Sequence, residues 1–176
     1  MPSLKYLIAL AIAMFFSYVS ACADIWDVKV TFYGYPDNDP AGSATAYSCG
    51  DRNYVAGGTG TYDDPVTFAT APGEYEQCEI IYLPYLKKYA RFEDYCAQCT
   101  TDYDNGLNHI DIWTGSSSYN GGDDQVACEY QLTPDADQSV VRYPDTDYEV
   151  DISATYDYGT CNSGDTYPDN DASNYC

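Results

Sequence analysis

The sequence predicts a small all-β domain, either a barrel or a sandwich, on the basis of three observations. Many short segments with strand-like composition follow one another, turn residues separate them at close intervals, and no long amphipathic helical pattern is present. The chain has 176 residues, a length that fits one domain of ordinary size with its own core.

The first predicted strand covers residues 25–35, where apolar and polar side chains alternate. Such alternation is typical of a strand with one buried face. One face carries Val28, Val30 and Phe32, and the other carries Lys29, Thr31 and Tyr33. Further strands are predicted at residues 44–47, 54–56, 66–69, 79–83, 89–92, 108–113, 125–132 and 139–142, with a helical turn at 84–88.

Composition excludes several classes of partner and cofactor. The formal charge of −21 excludes nucleic acid and anionic lipid, because both require a basic surface. The single histidine excludes a multi-histidine metal site. Residues 102–113 do not complete a calcium loop, and residues 57–60 lack the Lys of a phosphate loop. We therefore predict no metal and no cofactor, and, since no amphipathic seam is visible, a monomer.

Residues 1–21 have the arrangement of a secretory signal peptide. Lys5 precedes an apolar run that is too short for a membrane span, and small residues follow it. Cleavage is predicted after Ala21 or after Ala23, and the mature protein is expected to be extracellular. Cleavage after Ala21 is favoured because it retains Cys22 and an even number of cysteines.

The cysteines predict a disulfide-stapled secreted domain. Eight are present, at positions 22, 49, 78, 96, 99, 128, 161 and 176. They allow 105 pairings, among which the sequence does not choose. Cys161 and Cys176 enclose a short loop and are the least speculative pair. The Cys96-x-x-Cys99 motif is interpreted as halves of two different structural disulfides, since neither a zinc site nor a thioredoxin-like pattern accompanies it.

The last segment, residues 144–176, is expected to be an acidic, loosely structured C-terminal extension beyond a barrel domain at 25–143. It has eight acidic residues, five tyrosines and no basic residue. It is predicted to contain one strand, residues 148–154, and to be a solvated tail. The alternative is a flap that contacts carbohydrate or calcium.

Two carboxylates stand out as candidate site residues. His109, Asp111 and Trp113 share one face of a predicted strand, which is typical either of a sugar-binding floor or of an ordinary half-exposed strand. Asp94 ends another strand immediately before the Cys96-x-x-Cys99 motif, where a charge must be exposed or functional.

Three segments in order resemble the double-psi β-barrel superfamily, which includes expansins, loosenins, barwin-like proteins and related endoglucanases. They are Thr31-Phe-Tyr-Gly34, Phe92-Glu-Asp-Tyr-Cys-Ala-Gln-Cys99 and His109-Ile-Asp-Ile112. The resemblance covers about residues 25–133 and implies a six-stranded double-psi β-barrel with an open groove for a polysaccharide.

The resemblance also implies roles for individual residues. Asp111 would be the general acid, Asp94 would tune or orient it, and Thr31 and Tyr33 would line the groove. The glucan-cleaving relatives have an acid two residues after the opening tyrosine, but this chain has Tyr35 there, and the nearest acid is Asp37.

The leading functional hypothesis is therefore a secreted enzyme that cleaves a cell-wall glycan, either a β-1,4-glycan or peptidoglycan in the manner of a muramidase. Asp37 or Asp94 would be the base or charge stabiliser, and His109 would lie beside the substrate. The second hypothesis is non-hydrolytic polysaccharide binding and wall loosening, with Tyr33, Tyr35 and Trp113 as stacking surfaces. The third is a secreted protease inhibitor or effector on the same scaffold.

Overall fold

The computed structural model describes residues 21–176, so residues 1–20 of the predicted signal peptide lie outside the described residues. Six strands form a closed barrel in the order β1-β5-β2-β4-β3-β6, which confirms the predicted all-β barrel. The strands are β1 (Ala23–Tyr33), β2 (Val66–Thr70), β3 (Ile80–Leu83), β4 (Lys88–Tyr95), β5 (Asn108–Trp113) and β6 (Gln138–Arg142).

The barrel is mixed, because β1 pairs with β5 and β2 pairs with β4 in parallel, whereas the other pairs are antiparallel. Alternate residues of the strands point inward and form the core, as the pattern in residues 25–35 predicts. Val28, Phe68, Ile81, Ala90 and Ile110 are fully buried there.

Two helices accompany the barrel, α1 (Ala97–Asp104) and α2 (Gly122–Leu132), so the predicted strand at 125–132 is wrong. The buried residues of α2 are Gln125, Cys128, Glu129 and Leu132, spaced three or four apart as on one face of a helix. Because two of these four positions are polar, residues 125–132 do not show the helical period as a pattern of apolar residues. Neither helix has the length and apolar character that crossing a membrane requires, within residues 21–176.

Three other predicted strands are absent from the described structure. Residues 44–47 and 54–56 contribute only one isolated bridge, between Ala44 and Val55. Residues 148–154 have no strand, and their backbone is held instead by side chains and loops of the barrel. Short apolar segments of this kind satisfy a strand pattern without having a neighbouring strand to pair with.

All eight cysteines form disulfides, and both pairings inferred from the sequence are wrong. The bonds join Cys22 to Cys176, Cys49 to Cys78, Cys96 to Cys99, and Cys128 to Cys161. Cys96 and Cys99 therefore pair with each other rather than with two other cysteines. The end of the chain returns to the start of β1, which gives Cys176 a nearer partner than Cys161. Of the two predicted cleavage points, only the one after Ala21 retains Cys22.

The segment 144–176 has little regular structure, namely β7 (Tyr156–Asp157), β8 (Thr160–Cys161) and a 3-10 helix (Ala172–Asn174). It is nevertheless packed on the barrel, unlike the predicted loose tail. Two disulfides fix it, and two of its tyrosines pack against outward-facing tyrosines of β3 and β4. We call Tyr82, Tyr89, Tyr148 and Tyr175 the tyrosine layer.

Candidate active site

Strand pairing places four residues in a row across the outer face of the barrel. Thr31 of β1 is opposite Asp111 of β5, and Ala69 of β2 is opposite both Asp111 and Asp94 of β4. Paired residues point to the same side of a sheet, so this row, which we call the groove face, brings the two predicted carboxylates together.

A β-bulge orients Asp94 toward this face. The register between β2 and β4 shifts between Phe68 and Ala69, so that Phe68 pairs with Phe92 and Ala69 pairs with Asp94. Without the shift, Asp94 would point inward like Phe92, because side chains alternate along a strand. Because of the bulge, the side chains of the adjacent residues Glu93 and Asp94 lie on the same side of the sheet.

Asp111 is partly exposed and accepts a hydrogen bond from Thr31 Oγ1 at Oδ1 (2.7 Å). Its pKa is raised to about 7, chiefly because burial penalises the carboxylate, and further by the charges of Asp37 and Asp94. The hydrogen bond from Thr31 acts in the opposite direction. A carboxyl group that still holds its proton near neutral pH can donate it to a leaving group.

Asp94 is buried, with 6% of its surface exposed, and all of its hydrogen bonds are to the protein. Oδ1 accepts from the backbone N–H of Ala46 and of Tyr95, and Oδ2 accepts from the hydroxyl of Tyr33 (3.0 Å). Burial raises the pKa of Asp94 against these hydrogen bonds. Its position suits an indirect role, in which it holds Tyr33 and adds negative charge near Asp111.

A cavity of about 210 Å³ opens over the groove face. Asp37 and Asp111 both line it, Ala69 forms part of its floor, and Tyr95 and Cys96 line one side. Ala69 is paired with both Asp94 and Asp111, but Asp94 itself does not line the cavity. The cavity therefore joins two of the three predicted catalytic carboxylates.

The predicted stacking residues differ in accessibility. Trp113 is 3% exposed, packs edge-on against Tyr33 at 5.3 Å and donates its indole N–H to the carbonyl of Gly115, so it offers no free face to a sugar. Tyr35 is partly buried against the same cluster and does not line the cavity. Tyr95, which the sequence analysis did not select, is 49% exposed at the cavity wall.

His109 lies behind Thr31 and not beside the cavity, because it is 2% exposed. Its Nε2 is 2.9 Å from Thr31 Oγ1, and its Nδ1 is 2.8 Å from Oδ2 of Asp102 on α1. The predicted substrate contact is therefore replaced by a contact through Thr31 to Asp111. Asp102 also accepts from Lys29 Nζ at 3.2 Å.

Glu129 of α2 is a further carboxyl at the site that sequence reasoning missed. It is 3% exposed, and Oε1 accepts from Thr114 Oγ1 at 3.0 Å. Burial, and after it the charge of Asp37, raise its pKa to about 9, so the group is protonated at neutral pH. Its second oxygen, Oε2, is buried without a hydrogen-bond partner in the protein. A Cβ atom at Gly34 would clash with Gln125 Nε2 and lie 2.7 Å from Glu129 Oε1, so a larger residue there would displace two buried side chains of α2.

The helical spacing of Gln125, Cys128, Glu129 and Leu132 was the only signal for this residue, since it marks Glu129 as inward-facing. In the described part of the chain, no three His, Cys, Asp or Glu side chains gather so as to hold a metal ion.

Fold and site together define a disulfide-stapled, six-stranded barrel protein with a carboxylate-lined groove. The chain belongs to the family described as the DDB_G0273701 N-terminal domain, whose model matches residues 25–162. It is similar to the Dictyostelium discoideum protein DDB_G0273701/DDB_G0273221, with 34% identity over 179 residues that cover 100% of this chain and 76% of the relative. No solved structure matches the chain.

Proposed function

We propose that the protein is a secreted enzyme that cleaves a wall glycan, with Asp111 as the general acid. The observation that carries this proposal is the position of Asp111, whose carboxyl has a pKa near 7, at a cavity that it shares with Asp37. Glycoside cleavage needs one protonated acid beside the leaving oxygen and a second carboxylate nearby. The resemblance to double-psi barrel endoglucanases and muramidase-type proteins is consistent with this chemistry.

Asp37 is the better candidate for the second carboxylate. It is exposed at the cavity, and one of its oxygens accepts from the backbone N–H of Gly34 (2.9 Å). Asp94, by contrast, is buried and uses both oxygens within the protein. We therefore assign activation of water or stabilisation of positive charge on the sugar to Asp37, and assign to Asp94 an indirect effect on Asp111.

The substrate class follows from charge. A chain with a formal charge of −21 repels an anionic polymer, which favours a neutral β-1,4-glycan. Peptidoglycan is the second candidate, because a mechanism with one principal acid does not require a base at position 35, which is Tyr35.

A non-hydrolytic role, in which the groove binds a polysaccharide and loosens the wall, is the second candidate function. One specific observation favours it: Tyr95 stands half-exposed at the cavity wall, where its ring can stack on a sugar.

Secretion is part of the proposal and has two supports. The first is the signal-like composition of residues 1–21, and the second is the presence of four disulfides, which persist in oxidising compartments.

The test is release of reducing ends from cellulose, glucomannan, chitin and peptidoglycan between pH 4 and pH 9. We expect activity on one of these polymers and a loss of about 10²–10⁴-fold in Asp111→Asn, with polymer binding retained. Asp104→Asn, an exposed change of the same kind at the end of α1, is the matched control and should keep wild-type activity.

The pH profile adds a second criterion. A general acid works only while protonated, so the rate should fall as pH rises through about 7, the pKa of Asp111. Binding without release in the wild type would instead support the non-hydrolytic function, and neither binding nor release would reject both.

A further inference from the structure

Four side chains form a continuous hydrogen-bonded chain that ends at the proposed acid. It runs from Asp102 of α1 to His109 of β5, then to Thr31 of β1, and finally to Asp111 of β5. The three distances are 2.8 Å from Asp102 Oδ2 to His109 Nδ1, 2.9 Å from Nε2 to Thr31 Oγ1, and 2.7 Å from Oγ1 to Asp111 Oδ1. All three are hydrogen-bond distances, so each contact needs one hydrogen.

The position of the hydrogen between Asp102 and His109 follows from the charge of Asp102. Hydrogen bonds from Gln98, Lys29 and His109 outweigh its desolvation and lower the pKa of this carboxyl, so it is ionised and only accepts. The hydrogen between Asp102 and His109 therefore sits on Nδ1 of the histidine.

The remaining two contacts need two hydrogens, but the Thr31 hydroxyl has only one. The second must come either from Nε2 of a charged imidazole or from a protonated Asp111. If both groups lacked it, one contact would have no hydrogen. If both carried a hydrogen, the Thr31 hydroxyl would have no acceptor for its own hydrogen among these four side chains. The geometry thus selects states with one extra proton.

We propose that His109 and Asp111 share a single proton through the Thr31 hydroxyl, with Asp102 holding the imidazole in place. In one state, Nε2–H of His109 donates to Thr31 and the hydroxyl donates to the Asp111 carboxylate. In the transfer, the Nε2–H bond of His109 breaks and its proton binds Thr31 Oγ1. At the same time, the original hydroxyl proton of Thr31 moves to Asp111 Oδ1. The result is a neutral histidine and a carboxylic acid, with no net change in protons.

The inference deepens the proposed function and rests on it only in assigning the proton to catalysis. His109 and Asp102 would then be positioning residues that supply or hold the proton of the acid. The sharing itself is a property of the free protein, so it is testable without a substrate. If the shared proton is found and no glycan is cleaved, the inference stands and the proposed function fails.

Other charged groups lie around His109 and Asp111 and shift the pH at which this pair titrates. Burial lowers the pKa of His109, and Asp102 and Asp137 act in the opposite direction. The groups that surround the two titrating residues are Lys29 of β1, Glu74 of the loop before β3, Asp102 of α1, Asp137 of the segment before β6, Asp37 of the loop after β1, Asp94 of β4 and Glu129 of α2.

The experiment uses the single histidine as a probe, in tag-free protein labelled with ¹⁵N and ¹³C. We expect the ¹⁵N shift of His109 Nε2 and the ¹³Cγ shift of Asp111 each to follow the same two titration steps, because a coupled pair titrates as a unit. Between the steps, both shifts should lie between their protonated and deprotonated limits. Separate single steps at His109 and Asp111 in the wild type would overturn the inference.

Two variants sharpen the result. Asp111→Asn should leave one step at His109, lower by about one pH unit because the carboxylate that supports the charged imidazole through the Thr31 hydroxyl is lost. Thr31→Val keeps the branched shape and should uncouple the two titrations. Asp104→Asn and Thr101→Val, exposed changes of the same types on α1, should leave the two-step profile intact. An unchanged profile in Thr31→Val would also overturn the inference, since the bridge would then be unnecessary.

Discussion

Two outer faces of the same barrel have opposite properties. The groove face borders a cavity and has carboxyl groups whose pKa values are raised by burial and by neighbouring acidic side chains. The outer face of β3, β4 and β6 is covered by the segment 144–176, which packs on it through the tyrosine layer. A closed barrel leaves every strand with an outward side, so the segments that cover one side and leave another open decide which face contributes to stability and which face is accessible to a ligand.

The covered face is held by rings and by polar contacts of their hydroxyl groups. Tyr82 packs against Tyr89, Tyr148 and Tyr175 with ring centroids 4.8–5.2 Å apart. The hydroxyl groups of Tyr82 and Tyr89 donate to backbone carbonyls of the C-terminal segment, each at 2.6 Å. Lys88, which is buried, also donates its ammonium to the carbonyl of Asp151.

The largest expected difference between the two faces lies in their disulfides. Cys22 and Cys176 are 154 residues apart, whereas Cys96 and Cys99 are 3 apart. The loop-closure model predicts that replacing the first pair with serine lowers the free energy of unfolding by about 5 kcal/mol, and the second pair by about 2 kcal/mol. Urea unfolding of the two double variants measures both, and equal losses would contradict the comparison.

The next largest effect concerns the tyrosine layer itself. Tyr82 is fully buried, so Tyr82→Ala should lower the free energy of unfolding by about 4 kcal/mol through lost packing and a cavity. Tyr130 on α2 is 78% exposed, and Tyr130→Ala should cost about 0.5 kcal/mol or less. Both are measured by urea unfolding. A loss below about 1 kcal/mol in Tyr82→Ala would mean that the segment 144–176 is not an integral part of the fold.

On the groove side, Glu129 makes stability depend on pH. Its folded pKa of about 9 lies above its ordinary value of 4.5, so its favourable contribution is complete below pH 4.5 and is lost as pH rises toward 9. Glu129→Gln removes this dependence. As pH rises from 5 to 8, we expect the free energy of unfolding of the variant to increase by about 4 kcal/mol relative to that of the wild type.

Thermal or urea unfolding at several pH values measures this gain. Glu76→Gln, a change at an exposed glutamate, is the control and should follow the wild-type curve. Parallel curves for wild type and Glu129→Gln would show that the buried carboxyl is not under electrostatic strain.

The smallest expected effect is at Tyr33, which connects Asp94 to the groove. Tyr33→Phe removes the hydroxyl that donates to Asp94 Oδ2 and should cost about 1.5 kcal/mol at pH 7. Tyr54→Phe, at a half-exposed ring, should be neutral within about 0.5 kcal/mol. Urea unfolding at pH 7 measures both, and a neutral Tyr33→Phe would indicate that Asp94 does not depend on this contact.

Much of the groove face could be predicted from the sequence. Alternation in residues 25–35 and 108–113 placed Thr31 and Asp111 on outward faces, and the structure pairs these two residues directly. The accessibility of Trp113 and His109 could not be predicted, because alternation tells only on which side a residue lies. Whether that side is covered depends on loops and helices from elsewhere in the chain.

The segment 144–176 was harder to predict, because its acidic, turn-rich composition matches that of a solvated tail. Tyr148 and Tyr175 are partly buried because β3 and β4 present Tyr82 and Tyr89 at the matching place. Glu129 was missed for a related reason, since a buried carboxyl on a short helix looks like an ordinary polar residue until its neighbours are known.

The sequence by itself determined the all-β class, the inward and outward sides of the main strands, and the oxidised, acidic character of the chain. These features depend on local alternation and on composition. Only the tertiary structure decided which cysteines bond, where the end of the chain packs, and which carboxyls share a cavity. Each of these depends on distances between residues far apart in sequence, which become fixed only when the barrel closes.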